Sequence, residues 1–169
     1  LLSFMQGTPF DFKKTRGYIT RSGYTGEDGF EIMLPSTHID AFARWVLKQP
    51  NVQPAGLGAR NTLRLEAGLS LYGTDMDSTT TPTQAGLNWS IPKVRRTGGQ
   101  RAGGFVGAEV VLPQVEGRAA VNSVRVGLHA MERVPVRDGT PLHIPEGAAI
   151  GVVTSGSLAP SLDRPIAMG

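Results

Sequence analysis

Two β-prone runs, Tyr18-Ile19-Thr20 and Phe30-Glu31-Ile32-Met33-Leu34, flank the polar segment TGEDG at 25–29, and an amphipathic stretch follows them directly. A glycine-bounded acidic turn between two such runs predicts a β-hairpin. Side chains alternate across a strand, so Phe30, Ile32 and Leu34 should share one face, with Glu31 and Met33 on the other. In the stretch that follows, Ile39, Phe42, Ala43 and Val46 recur at helical spacing, and Thr37 with Asp40 has the spacing of a capping box. Lys48 and then Pro50 end the pattern. A hairpin leading into an amphipathic helix predicts an α+β arrangement, an antiparallel sheet with helices laid on it.

After the loop NVQPAGLG, the segment ARNTLRLEAGLSLYG predicts a second helix that runs out near Gly68. Arg60 and Arg64 lie four apart on it, where like charges repel by a few tenths of a kcal/mol unless an anion answers them. A carboxylate or ligand is therefore expected nearby. The segment KVRRTGGQRAGG is basic, glycine-rich and without periodicity, which predicts a linker or mobile loop. Beyond it, FVGAEVVLPQ predicts a short helix. SVRVGLHAM, PVRDGTPLHIP, GAAIGVVTSG and IAMG then form a series of short β runs about ten residues apart, the pattern of a small sandwich or barrel. The 22 glycines and 12 prolines among 169 residues fit short strands and turns better than a helical bundle.

Several function classes fall away on residue types alone. With no cysteine there is no disulfide framework, thiol nucleophile or thiolate zinc site. His38, His129 and His143 are too widely spaced to suggest a metal motif, so no metal is expected. No apolar run approaches the roughly 20 residues of a membrane span, and LLSFMQGTPFDF reads as the middle of a protein rather than a leader. The net charge of +3 and a pI near 9.6 suit nucleic acid, an acidic protein or an anionic small molecule alike. Lys93, Arg95, Arg96 and Arg101 crowd one loop without interleaved aromatics, which argues against nucleic acid and leaves a solvated loop or an anion-docking surface. GYTGEDG has neither P-loop nor dinucleotide glycine spacing, Asp75 and Asp77 lack the rest of an EF-hand, and no Ser-His-Asp set stands out.

Three residues point to one kind of ligand. Tyr24 offers a ring to stack on, Glu31 an acceptor for paired N–H donors, and Arg60 a fixed guanidinium fork. Such a set suits a flat heterocycle with donor and acceptor edges. A solvent-facing Glu31 is the plainer alternative. Trp89, in LNWSI, is expected to be at least half buried.

The segments ITRSGYTGEDGFEI, GLGARNTLRLEAGLSLYGTDMD, TTPTQAGLNWSI, FVGAEVV and GVVTSGSLAPSL followed by IAMG resemble, in that order, the aminomethyltransferase (T protein) family of the glycine cleavage system. The resemblance covers nearly the whole chain. It implies residues 1–96 as the C-terminal part of a folate-binding α+β domain and 97–169 as a small, truncated β-barrel domain. It implies transfer of an aminomethyl group from the lipoyl arm of the H protein to tetrahydrofolate, the co-substrate, yielding 5,10-methylenetetrahydrofolate, ammonia and the reduced arm. By the same resemblance Tyr24, Glu31 and Arg60, with Trp89, line the folate site, and the glycine cleavage complex is the setting. Likeness to the eukaryotic branch implies the mitochondrial matrix.

The family's aspartate that activates the folate nitrogen would precede Leu1, so no catalytic residue is expected in this chain, and the last strands of the barrel would follow Gly169. Alone, the piece is expected to be inactive, and either marginally stable or a homodimer that hides its exposed edges. Asn61 stands where many members of the family have aspartate. Two rivals remain at this point: the tetrahydrofolate-binding C-terminal domain of a sarcosine or dimethylglycine dehydrogenase, and a non-catalytic folate-binding module.

Overall fold

The computed structural model describes residues 1–169, which form two compact units, Leu1–Leu69 and Ser70–Gly169. The fold class is α+β, with antiparallel sheets and three helices. No helix is long and apolar enough to cross a membrane.

In the first unit the expected hairpin forms. Strand β2 (Thr15–Thr20) pairs antiparallel with β3 (Glu31–Met33) in the register Tyr18 with Met33, Ile19 with Ile32 and Thr20 with Glu31. A strand not anticipated from the sequence, β1 (Gly7–Phe12), pairs with β2 along its whole length, giving the order β1-β2-β3. The β1–β2 turn is Lys13-Lys14, both at positive φ (47° and 66°). Positive φ at both turn positions is the mirror-image turn that suits strand twist and is ordinarily filled by Asn or Gly. Two lysines carry no such signal, which is why the strand was hidden. On β3, Ile32 and the following Leu34 are half-buried while Glu31 and Met33 are exposed, as alternation requires; Phe30, just before the strand, is exposed instead of covered.

Helix α1 (Ser36–Val46) lies against this sheet through an aromatic cluster. The Phe42 ring meets Phe12 edge-on at 5.1 Å between centroids and Phe10 at 6.0 Å, while Trp45 closes the group at 5.8 Å from Phe12 and 5.9 Å from Phe42. Phe10 and Phe12 are two apart on β1 and so share a face, and Phe42 and Trp45 are three apart on α1 and so share a stripe. The expected capping box does not form. Pro35 is already the N-cap and Ser36 the first helical residue, so Thr37 sits inside the helix and bonds its neighbour His38 Nδ1 at 2.8 Å. Asp40 accepts from Arg44 Nε, one turn on, at 2.8 Å.

Helix α2 (Leu57–Glu66) begins two residues before the segment that predicted it and ends as expected at Gly68. There Gly68 adopts φ 72°, its N–H reaches the Leu65 carbonyl at 3.0 Å, and the Leu69 N–H reaches the Arg64 carbonyl at 2.8 Å. These two bonds make a Schellman closure, in which only glycine takes the left-handed position without penalty.

The second unit carries helix α3 (Ala108–Val115) and five strands: β4 (Gly127–His129), β5 (Pro141–His143), β6 (Ala149–Val152), β7 (Ser155–Ala159) and β8 (Arg164–Met168). They form two sheets, β4-β8-β7 and the hairpin β5-β6, which do not close into a barrel. The central strand β8 is the core: Pro165, Ile166, Ala167 and Met168 are all buried, with Val153 and Ala159 beside them. Chain passage from β6 to β7 is fixed by Thr154, whose N–H bonds the Met168 carbonyl at 2.8 Å and whose hydroxyl bonds Asp75 at 2.5 Å.

The basic stretch near residue 95 is folded rather than a linker. Arg96 donates to the carbonyls of Ile91 (3.0 Å) and Asn88 (2.7 Å), and Arg95 to that of Gly103 (3.1 Å). The backbone closes around them with Arg101 N–H to Val94 and Gly103 N–H to Arg95. Composition suggested a linker because glycine and arginine are polar and turn-forming; it could not show that the arginines bind their own loop.

Because Phe42 is the ring shared by three of the four aromatic contacts, Phe42→Ala should destabilise the first unit by about 2–4 kcal/mol. Ile39→Ala, on the same helix but at an exposed position, should change stability by less than about 1 kcal/mol. Urea unfolding of both variants checks the contrast.

Candidate functional site

The loop joining β2 to β3, residues 21–30, is tied at its base. Arg21 forks onto Asp28 through Nε (2.8 Å to Oδ1) and a terminal nitrogen (2.9 Å to Oδ2), and its other terminal nitrogen bonds the Leu2 carbonyl at 2.9 Å. That hydrogen bond holds the Asp28 carboxyl below its ordinary range and raises Arg21 above its own. The tip of the loop lies against the end of α2. Gly26 is at φ 78°, and a Cβ placed on it would stand 2.5 Å from the Ala67 Cβ. Only glycine satisfies both conditions, the left-handed backbone and the absence of a side chain.

This approach brings Tyr24 beneath Arg60. The Arg60 Cζ lies 4.4 Å from the centroid of the Tyr24 ring, a cation–π contact. No carboxylate answers the Arg60 guanidinium; its N–H donors remain unspent in an exposed position. Glu31 opens β3 on the exposed face, and its Oε2 accepts from the Ser22 hydroxyl at 2.5 Å. Ser22 is two residues before Tyr24, so the carboxylate is tied to the loop that carries the stacked ring. Glu31 Oε1 has no partner in the protein.

Arg60 and Arg64 share a stripe of α2 but not an environment. Arg64 is 1% exposed, with Nε donating to Asn61 Oδ1 at 2.8 Å and a terminal nitrogen to the Leu69 carbonyl at 3.2 Å. It is the internal staple of the helix end. Nothing in the sequence separated the two arginines. Asn61 orients this buried guanidinium.

Trp89 belongs to the second unit and is 69% exposed, not half buried. It sits in a 3-10 turn, Asn88–Ser90, with three residues per turn. Asn88 and Ile91 therefore take the inner side: Asn88 bonds Thr83 at 2.9 Å and Ile91 is buried. The indole is left outside. The same unit has a concavity of about 570 Å³ whose lining includes Asp75, Thr79, Gln84, Val124, Leu142 and Ile150. Asp75 there is already engaged by Thr154 and by the Leu71 N–H. No group of three or more histidine, aspartate or glutamate side chains is placed to hold a metal ion.

What the first unit presents, then, is an aromatic platform under a cation with free donors, and a carboxylate with one free oxygen on a tethered loop. A family model described as the GCVT N-terminal domain matches residues 1–95, more than half of the chain.

The chain belongs to the GCVT family.

Among curated relatives in this family, it is 44% identical over 169 residues to the probable mitochondrial aminomethyltransferase of Schizosaccharomyces pombe, covering all of this chain and 42% of that protein. It is 49% identical over 151 residues to the mitochondrial aminomethyltransferase of Mus musculus, covering 89% of this chain and 36% of that protein. The crystal structure of the glycine cleavage system aminomethyltransferase T from Bartonella henselae superimposes with a TM-score of 0.86 at 47% identity, over 100% of this chain and 44% of that one. The chain thus spans about two fifths of the length of the GCVT proteins it matches. These names are those of the transferase and not of either rival.

Two outcomes are expected from this geometry. Asn61→Ala should lower the thermal midpoint, because it takes a hydrogen-bond acceptor from the buried Arg64 at a cost of about 1–3 kcal/mol. The Asp28 clasp should follow acid. Its pKa is depressed on folding, so the stability it contributes is present above the unfolded value of about 3.9 and is lost as pH falls through the folded one. The difference in thermal midpoint between the parent and Asp28→Asn should therefore be seen at neutral pH and vanish in acid.

Proposed function

We propose that this chain is the portion of a glycine cleavage aminomethyltransferase that carries one side of the tetrahydrofolate pocket, with residues 1–96 contributing to the folate-binding domain and 97–169 to the β-barrel domain. The observation that carries the reading is the grouping of Tyr24, Arg60 and Glu31 on one loop–helix junction, in a chain that belongs to the GCVT family. A pterin has a flat ring with an N–H edge and a neighbouring acceptor. Tyr24 and Arg60 suit its face and its acceptors, and the free Glu31 oxygen suits the N–H edge. Trp89, being exposed, is available to a ligand surface.

The reaction follows from the substrates. The H-protein arm arrives as a lipoyl thioether bearing an aminomethyl group. Nitrogens 5 and 10 of tetrahydrofolate each form a bond to the methylene carbon and each release a proton. The C–S and C–N bonds break, and the products are 5,10-methylenetetrahydrofolate, ammonia and the dihydrolipoyl thiol. The nucleophile is supplied by the folate, so the residues of this chain bind and orient it rather than transfer protons. The partner is the lipoylated H protein. The mitochondrial relatives support a mitochondrial matrix location.

Tetrahydrofolate titration of this chain, followed by tryptophan fluorescence, tests the site. Arg60→Ala and Glu31→Gln should each weaken binding by about 10- to 100-fold, the loss expected for one hydrogen bond to a charged group. Unchanged affinity in both variants would overturn the assignment. Aminomethyl transfer from loaded H protein by the full-length enzyme, followed with the same two variants, tests the reaction.

A further inference from the structure

Thr20 and Glu31 are directly opposed across the β2–β3 ladder, so their side chains leave the same face of the sheet. Ser22 continues the β2 side two residues later and joins them. Its hydroxyl donates to Glu31 Oε2 at 2.5 Å and lies 2.8 Å from Thr20 Oγ1. Since the Ser22 proton is committed to the carboxylate, Thr20 is the donor in the second bond. Thr20 is also 3.4 Å from the Glu31 carbonyl, a longer and weaker alternative. The three form a relay, Thr20 to Ser22 to Glu31, that ends on one carboxylate oxygen and leaves the other free.

We propose that Ser22 is a positioning residue for Glu31: held by Thr20, it fixes the carboxylate so that Oε1 faces the N–H edge of the bound folate. This rests on the folate reading of Glu31 given above. The physical need is clear from the exposure of the site. Glu31 stands on the solvent side of a three-residue strand, where a glutamate samples many rotamers and must surrender them on binding. A donor on one oxygen removes that freedom beforehand, and preorganisation of this kind improves affinity without a new ligand contact. The neighbouring Arg21–Asp28 clasp fixes the loop from which Ser22 projects, so the donor is itself held in place.

The test is a double-mutant cycle read by tetrahydrofolate titration of the full-length enzyme, where both sides of the pocket are present. Ser22→Ala should weaken binding by about tenfold, Ser22→Thr should restore most of the loss, and Thr20→Val should fall between. In a Glu31→Ala background, Ser22→Ala should change affinity by less than about twofold, because there is no side chain left to orient. A serine that only stabilised the fold would weaken binding equally in both backgrounds, and that additive result would overturn the proposal, as would a Ser22→Ala variant that binds like the parent. A full-length enzyme that does not bind tetrahydrofolate, or a Glu31→Gln variant of it that binds as well as the parent, marks failure of the folate reading itself and removes the proposal with it.

Discussion

The approach of Gly26 to Ala67 governs the first unit. Few side chains in that unit are fully buried, Phe12, Arg64 and Leu65 among them, so its geometry depends on specific local closures as much as on a hydrophobic interior. One closure is the Schellman end of α2, stapled from inside by Arg64. Another is the Arg21–Asp28 fork at the loop base. Between them, a loop without a Cβ at residue 26 lies directly on the helix, and that contact places the Tyr24 ring under Arg60. A loop held a methyl group further away would leave both residues intact but separated.

This arrangement suits the proposed reaction, in which the protein has little chemistry to perform. When one substrate brings the nucleophile and the other the leaving groups, the contribution left to the protein is orientation, and orientation requires that side chains be fixed before the ligand arrives. Arg60 is fixed by its ring and Glu31 by a hydroxyl, each with hydrogen-bonding capacity to spare.

The β2–β3 hairpin, its register and the outward face of Glu31 were legible because strand alternation and a glycine-bounded turn are local signals. So was the end of α2, where one glycine meets a fixed backbone requirement. The short strands of the second unit other than β7 were visible for the same reason. What escaped depends on contacts made at a distance. Strand β1 is closed by two lysines in a conformation usually left to asparagine and glycine, Thr37 lost its cap to a proline that starts the helix two residues early, and Trp89 was turned outward by Asn88 and Ile91. The division of labour between Arg60 and Arg64 is the clearest case. Identical side chains one turn apart were set to opposite tasks, one by a tyrosine from the β2–β3 loop and the other by an asparagine three residues upstream.

The loop around residue 95 has the opposite economy. Arg95 and Arg96 use their guanidinium groups to hold the carbonyls of their own segment. The positive charge there is thus part of the scaffold rather than an ornament on it. Added salt will thin the field that this loop projects into solvent, but its outline, drawn by short hydrogen bonds inside the loop, will persist, so a partner meeting it at high ionic strength encounters the same shape with a fainter charge.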